Sequence, residues 1–177
     1  MNAQDKSLAE GTAERAAELI DRYYRHFDDP ELPVPVDAIA VDLLGFAVDE
    51  DDALDVSGML IPAEKQVWLN GRESRSSEGR RRFTLAHELG HWVCQYQQGQ
   101  AEPRYCRSEE IGVGVGRKLE REANVFAAEL LMPAPLVRRE AVALKLNVHA
   151  LAHRFEVSLP AIRVRLEHLS LLPEYMQ

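Results

Sequence analysis

The chain has 177 residues, 46% hydrophobic and 28% charged, with a formal net charge of −8; that length suits one domain with a real core and room for a small appendage. No run approaches the ~18 apolar residues of a membrane span, which excludes an integral membrane helix, and bulk negative charge repels nucleic-acid phosphates, so DNA binding requires a local basic face. The opening "MNAQDKSLAEGTAERAAELIDRYY" mixes acids and bases and lacks the layout of a secretory signal, which predicts a cytosolic protein.

In "TAERAAELIDRYYRHF" the residues Ala16, Leu19, Ile20, Tyr23 and Phe27 recur every three or four positions, the period of a buried helix face, and Thr12 stands where a cap belongs. "DDPELPVP" is a proline-punctuated connector, and "VDAIAVDLLG" reads as a short helix ended by Gly45. "FAVDE", "SGMLI" and "QVWLN" are short β-prone runs divided by acidic, proline and "AEK" turns, which predicts a small antiparallel sheet. "SSEGRRRFTLAHELGHWVCQY" follows as a helix with Ala86, Leu89, Gly90 and Val93 as its apolar stripe. "QQGQAEPRYCRSEEIGVGVG" has no sustained period and reads as a long loop. Its Gly112, Gly114 and Gly116 do not complete a nucleotide fingerprint, and no βαβ unit surrounds them. "RKLEREANVFAAELLMP" is a helix with Ala123, Phe126, Ala127, Leu130 and Leu131 on its apolar side, stopped by Pro133. The remainder, to "LLPEYMQ", reads as helical with turns at Asn147 and Ser158, and no internal repeat or low-complexity segment is present.

"FTLAHELGH" is the stretch that carries chemistry. Positions i and i+4 of a helix lie roughly 40° apart and about one 5.4 Å turn along it, so His87 and His91 can offer ring nitrogens to one ion. Glu88, about 100° round the helix from His87, stands beside such an ion without having to ligate it. Neutral imidazoles leave the ion its charge, which lowers the pKa of bound water and polarises a carbonyl, and a neighbouring carboxylate then takes the proton and passes it to a leaving amine. Two ligands hold zinc poorly, so a third is needed. His26, His149, His153 and His168 are candidates, as are Glu120 and Glu122 in "LEREAN". Glu120 lies on the line of Ala123 and Ala127, the face expected to be buried, where a charge must be paired or bound to metal; that facing argument favours it over Glu122.

"RRFTLAHELGH" followed after a variable loop by "EREANVFAAELLMP", with "VDAIAVDLLGFAV", "SGMLI" and "VWLN" upstream, resembles the ImmA/IrrE family of bacterial zinc metallopeptidases. The likeness covers residues 12 to 135 well and the C-terminal part more loosely. It implies an α+β fold: a compact gluzincin-like domain over residues 1–135, with its core at 12–135, and a helical extension over 136–177 packed upon it. In that resemblance His87, His91 and Glu120 match the zinc ligands, Glu88 the general base, and Asn124 a polar residue able to orient a ligand histidine. Such sites also accept manganese or another divalent ion. Members of the family cleave helix-turn-helix repressors, which implies a repressor protein as partner and substrate; a regulator that works by binding that partner is the alternative.

Several features invite a second role. "SGMLI" or "QVWLN" at a sheet edge could dock an extended peptide as an added strand, or simply close the core. "ALAHRFEVSLPAIRVRLEHLSLL" has a helix-turn-helix pattern in which Arg163 and Arg165 could face phosphates, yet three arginines against Glu156 and Glu167 leave only a weak basic footprint. Cys94 reads as a buried structural thiol before a ligand, and Cys106 as incidental. Arg80, Arg81 and Arg82 read as a solvated helix face before a grip on an acidic substrate segment. Tyr105 and the C-terminal histidines are candidates for stabilising an oxyanion.

Overall fold

The structure, a computed structural model, describes residues 3–25, 32–97, 104–106 and 115–172, with side chains for 9–25, 32–97 and 116–172. Helix α1 (Ala3–Tyr24) starts well before the expected cap, and Thr12 is fully buried in its middle. The preceding Ala3, Gln4, Lys6 and Leu8 are good helix formers, so the helix continues back through Gly11 rather than starting at Thr12. Ala16, Leu19 and Ile20 are buried as their spacing predicts, and Phe27 lies outside the described residues. Helix α2 (Val36–Ala38) runs into a wider π-type turn (Ile39–Leu43). Gly45, at φ +72°, closes it as expected, because the left-handed conformation carries no Cβ penalty there.

The sheet has the order β1-β3-β2-β4, formed by β1 (Ala47–Asp51), β2 (Gly58–Ile61), β3 (Gln66–Asn70) and β4 (Arg104–Cys106). β2 runs antiparallel to β3 (Gly58 opposite Leu69) and to β4 (Gly58 opposite Cys106). β1 runs parallel to β3 (Ala47 opposite Gln66). The sheet is therefore mixed, where the local pattern suggested antiparallel pairing throughout. The link after β1 carries the chain past the place β3 will occupy, so β3 returns from its hairpin beside β1 and in the same direction. Neither "SGMLI" nor "QVWLN" is an edge, since β3 lies between β1 and β2, and β2 lies between β3 and β4. β4 sits inside the stretch read as a loop, and three residues are too few to show a strand period. Val67 and Leu69 turn into the core while Gln66, Trp68 and Asn70 stay partly exposed, the alternation of a sheet with one packed face.

Asn70 ends β3 by accepting from the backbone N–H groups of Arg72 and Glu73, at 3.0 and 3.1 Å, and so starts α3 (Gly71–Ser76), a helix the sequence pattern did not reveal. Ser77 caps α4 (Glu78–His91), which continues as a π-type turn (Trp92–Tyr96). Then come α5 (Val115–Leu131), which takes in Gly116, and, after Pro133, α6 (Ala134–Ala143), α7 (Val148–Phe155) and α8 (Leu159–His168). The turns foreseen at Asn147 and Ser158 are the N-caps of α7 and α8. Among the described residues no helix is long and apolar enough to cross a membrane.

Helix α4 is the centre of the molecule. It packs on β2 and β3 on one side and on α5 on another, while α1 lies along α5. Leu85, Ala86 and Leu89 are fully buried against the core that includes Phe126, Ala127 and Leu130. At Gly90 the two helices come very close, since a Cβ there would stand 3.0 Å from the Cα of Ala123 and 3.1 Å from its carbonyl oxygen. That close approach brings the histidine face of α4 against α5. Leu151, Phe155, Ile162 and Leu166 of α7 and α8 belong to the same core. The backbone of Glu156 to Ser158, joining α7 to α8, packs on Gly79 at the start of α4, where a Cβ would lie 3.2 Å from the Ser158 nitrogen.

This arrangement changes the role of the C-terminal arginines. Arg165 is buried, donating from Nε to the Met132 carbonyl at 2.9 Å and from its two terminal nitrogens to the Glu129 carboxylate. Arg154 donates to the Leu32 carbonyl at 3.1 Å and pairs with Glu140. Arg165 therefore cannot face phosphates as its place in the pattern suggested, and Arg163 is left as the exposed member of that pair.

Candidate metal centre

Helical spacing on α4 places His87 and His91 on one buried face, their rings edge to face and their Nε2 atoms 3.0 Å apart. Glu120, from the second turn of α5, reaches both: Oε2 lies 3.2 Å from His87 Nε2, and Oε1 lies 3.3 Å from His91 Nε2. Among the described residues, these three form the one group of His, Cys, Asp or Glu side chains whose ligand atoms all lie within 4.8 Å of one another. The cluster could hold a metal ion.

The outer nitrogens of both rings meet amide oxygens. His87 Nδ1 lies 3.0 Å from Asn124 Oδ1, one turn beyond Glu120 on α5. His91 Nδ1 lies 2.9 Å from Gln95 Oε1, and Gln95 Nε2 donates to the Leu119 carbonyl at 2.9 Å. An amide oxygen only accepts, so each Nδ1 donates outward, which leaves each Nε2 as the nitrogen that would face a central ion. Two imidazole nitrogens and a carboxylate then converge on one point, a donor set that favours positive charge at its centre. Burial opposes ionisation of Glu120, but its hydrogen bonds to His87 and His91 outweigh that and hold the carboxyl well below the usual carboxylate range. Burial likewise acts to lower the pKa of His91, yet Glu120, Glu88 and Gln95 together raise it above the ordinary histidine value. The two shifts share one cause, the pairing of the Glu120 carboxylate with the imidazoles.

Glu88 is completely buried, and its charge acts on His91. The β2 backbone passes directly over it. A Cβ on Gly58 would lie 2.6 Å from Glu88 Oε1 and 2.7 Å from Thr84 Cγ2, so only a glycine leaves room for the carboxylate at that place.

Glu120 meets the histidines, but for a different reason from the one its spacing offered. Glu122 is the more buried of the two, at 8% side-chain exposure against 29% for Glu120. Helix α1 covers the face that carries Glu122, where Arg15 Nη1 lies 3.7 Å from its carboxylate, and burial raises its pKa. Cys94 sits near that pair with its thiol pushed up to about 12, chiefly by burial, as a structural thiol would be. His149, His153 and His168 are exposed on α7 and α8 and take no part in the cluster. His26 lies outside the described residues, as do the side chains of Tyr105 and Cys106.

The three consecutive arginines are not a free solvated face. Arg80 donates to Glu73 at 2.7 Å, Arg81 to Glu50 at 2.8 Å and Asp37 at 3.0 Å, and buried Arg82 to the Val34 carbonyl at 2.8 Å. They fasten the surrounding segments to the first turns of α4. Gln95 is the residue of the site that sequence reasoning missed. The available signal was a lone amide in the apolar "WVCQY", one turn after His91.

The sequence profile described as the IrrE N-terminal-like domain, a peptidase family, matches residues 48–167, which span β1 to α8 and include every residue of the cluster. No curated protein matches the sequence. A solved structure of a Mycobacterium tuberculosis transcriptional regulator is similar with a TM-score of 0.61 and 19% identity, over 92% of this chain and 46% of that one. The chain thus spans about half the length of that regulator, and the likeness is one of fold.

Proposed function

This chain belongs to the IrrE N-terminal-like domain family of peptidases, and from that premise we propose a zinc-dependent endopeptidase that cleaves a helix-turn-helix transcriptional repressor in the cytosol and so relieves repression. The observation that carries the peptidase reading is the convergence of His87, His91 and Glu120, from two different helices, with buried Glu88 alongside.

Two imidazoles and one carboxylate are a ligand set suited to catalytic zinc, with manganese as a further candidate, and three protein ligands leave one position open. An ion held there supplies Lewis acidity, which activates water near neutral pH and polarises the scissile carbonyl. Glu88 takes the proton from the attacking water and delivers it to the leaving amine. Asn124 and Gln95 hold the two imidazoles by their outer nitrogens, which keeps the inner nitrogens aimed at the centre. The repressor substrate rests on the resemblance to ImmA/IrrE proteins. No DNA contact belongs to this function, because Arg165 is buried against Met132 and Glu129, and Arg154 is paired with Glu140. The peptidase unit spans residues 1–135, and the extension over 136–177 serves to pack against it.

Elemental analysis on protein purified without added metal should find about one zinc per chain, and a loss of at least roughly tenfold in Glu120→Ala. Zinc-loaded protein incubated with helix-turn-helix repressors encoded beside its gene should give discrete fragments by mass spectrometry, and chelation should stop their appearance. Wild-type protein that takes up no zinc would overturn the proposal. An intact repressor that is nonetheless released from its operator would convert the protein into a regulator that acts by binding.

A further inference from the structure

We infer that Gln95 is a positioning residue for the metal centre: by accepting from Nδ1 of His91 it holds the ring so that Nε2 faces His87 and Glu120. The role presupposes the ligand assignment proposed above and adds to it a residue outside the ligand set.

Gln95 is 2% exposed and follows Trp92, Val93 and Cys94, all buried. A buried amide is costly unless its donor and acceptor are both engaged, and here both are. Its nitrogen lies 2.9 Å from the Leu119 carbonyl, a group that can only accept. Turning the amide over would set two oxygens against each other at that distance, so the orientation of Gln95 is dictated by the main chain of α5. Oε1 must then face His91 Nδ1, at 2.9 Å, and Nδ1 must be the nitrogen that bears hydrogen. That leaves Nε2, 3.3 Å from Glu120 Oε1, as the nitrogen turned to the centre of the cluster.

The Leu119 carbonyl therefore orients a histidine ring on another helix through one intervening side chain. Leu119 immediately precedes Glu120, so the same link also sets the spacing between two members of the cluster. The π-type turn Trp92–Tyr96 carries Gln95 into this bridge. His87 has a looser partner, since Asn124 is exposed and water can reach its amide. Of the two outer contacts, the one at His91 is the buried one.

The test uses Gln95→Met, which keeps an unbranched side chain of similar length and removes both hydrogen bonds. Nitrogen-15 NMR of histidine-labelled, metal-free full-length protein, at a pH where the ring is neutral, reads the tautomer directly. Wild type should show hydrogen on His91 Nδ1, and Gln95→Met should shift it toward Nε2, the nitrogen beside Glu120. Zinc affinity against a competing chelator should fall roughly 10- to 100-fold in Gln95→Met. An unchanged tautomer together with zinc affinity within twofold of wild type would overturn the inference. If Gln95→Met does not melt cooperatively, Gln95→Leu, which also lacks both hydrogen bonds, takes its place, and zinc affinity within twofold of wild type would overturn the role. Wild type that binds no zinc would remove the peptidase proposal, while the NMR of the metal-free protein would still decide the tautomer.

Discussion

Replacing Glu88 with Gln is expected to lower the rate of peptide hydrolysis by about 10²- to 10⁴-fold while bound zinc stays near one per chain. The substitution preserves shape and removes the one property the step needs, a carboxylate able to accept a proton. Glu88 lies outside the group that converges on the metal position, so coordination does not depend on it. Its charge does act on His91, and its loss should weaken zinc binding by a small factor rather than abolish it. A neutral amide costs less to bury than a carboxylate charge, so folding should survive. Hydrolysis of a labelled repressor fragment, measured beside zinc content of the same preparation, separates the two effects. A rate within tenfold of wild type would remove Glu88 from the chemistry.

Gly58→Ala is expected to cost about 10²-fold in rate, again with zinc retained, because about 1 Å of misplacement at a reacting group has consequences of that size. The new methyl would lie 2.6 Å from Glu88 Oε1 and 2.7 Å from Thr84 Cγ2, closer than carbon atoms sit beside either. β2 is paired on both sides at this residue, with Leu69 of β3 and Cys106 of β4, so the strand does not move away. The flexible Glu88 side chain moves instead. If displacement of Glu88 is the whole effect, Gly58→Ala should add almost nothing to Glu88→Gln, and kcat/KM of the two single variants and the double variant measures this. Full additivity would assign the loss to some other group.

The chemistry of α4 is legible in the sequence because it is local: the spacing of His87, Glu88 and His91 on a helix is all that is needed. The strands are legible for the same reason, each being a short apolar run between turn residues. Their neighbours are not, because pairing joins distant segments, and nothing in "FAVDE" states that it will run parallel to "QVWLN". Glu120 shows the boundary most clearly. Spacing placed it on a buried face, but burial at this helix is set by α1, which covers Glu122 instead. Glu120 is held at a half-exposed position by the histidines it meets. Arg165 fails as a phosphate ligand for a similar reason, since its partners Glu129 and Met132 lie more than thirty residues earlier. α3 escaped because its starting signal is a side-chain cap at Asn70, at the end of a strand, and six residues show too little periodicity to announce a helix.

The close contact of α4 and α5 at Gly90 makes ion and fold thermodynamically reciprocal. In the unfolded chain the imidazoles and the carboxylate are separated by about thirty residues of flexible polymer, so the proposed ion is held by the native state alone. At a free concentration a hundred times its dissociation constant it would add about 2.7 kcal/mol to the native state, a sizeable share of the stability of an ordinary domain. The linkage runs equally in the other direction. A residue that only loosens the junction between these helices, on α1 for example, lowers affinity for the ion without touching a ligand, so occupancy of the site becomes a gauge of the integrity of the whole core.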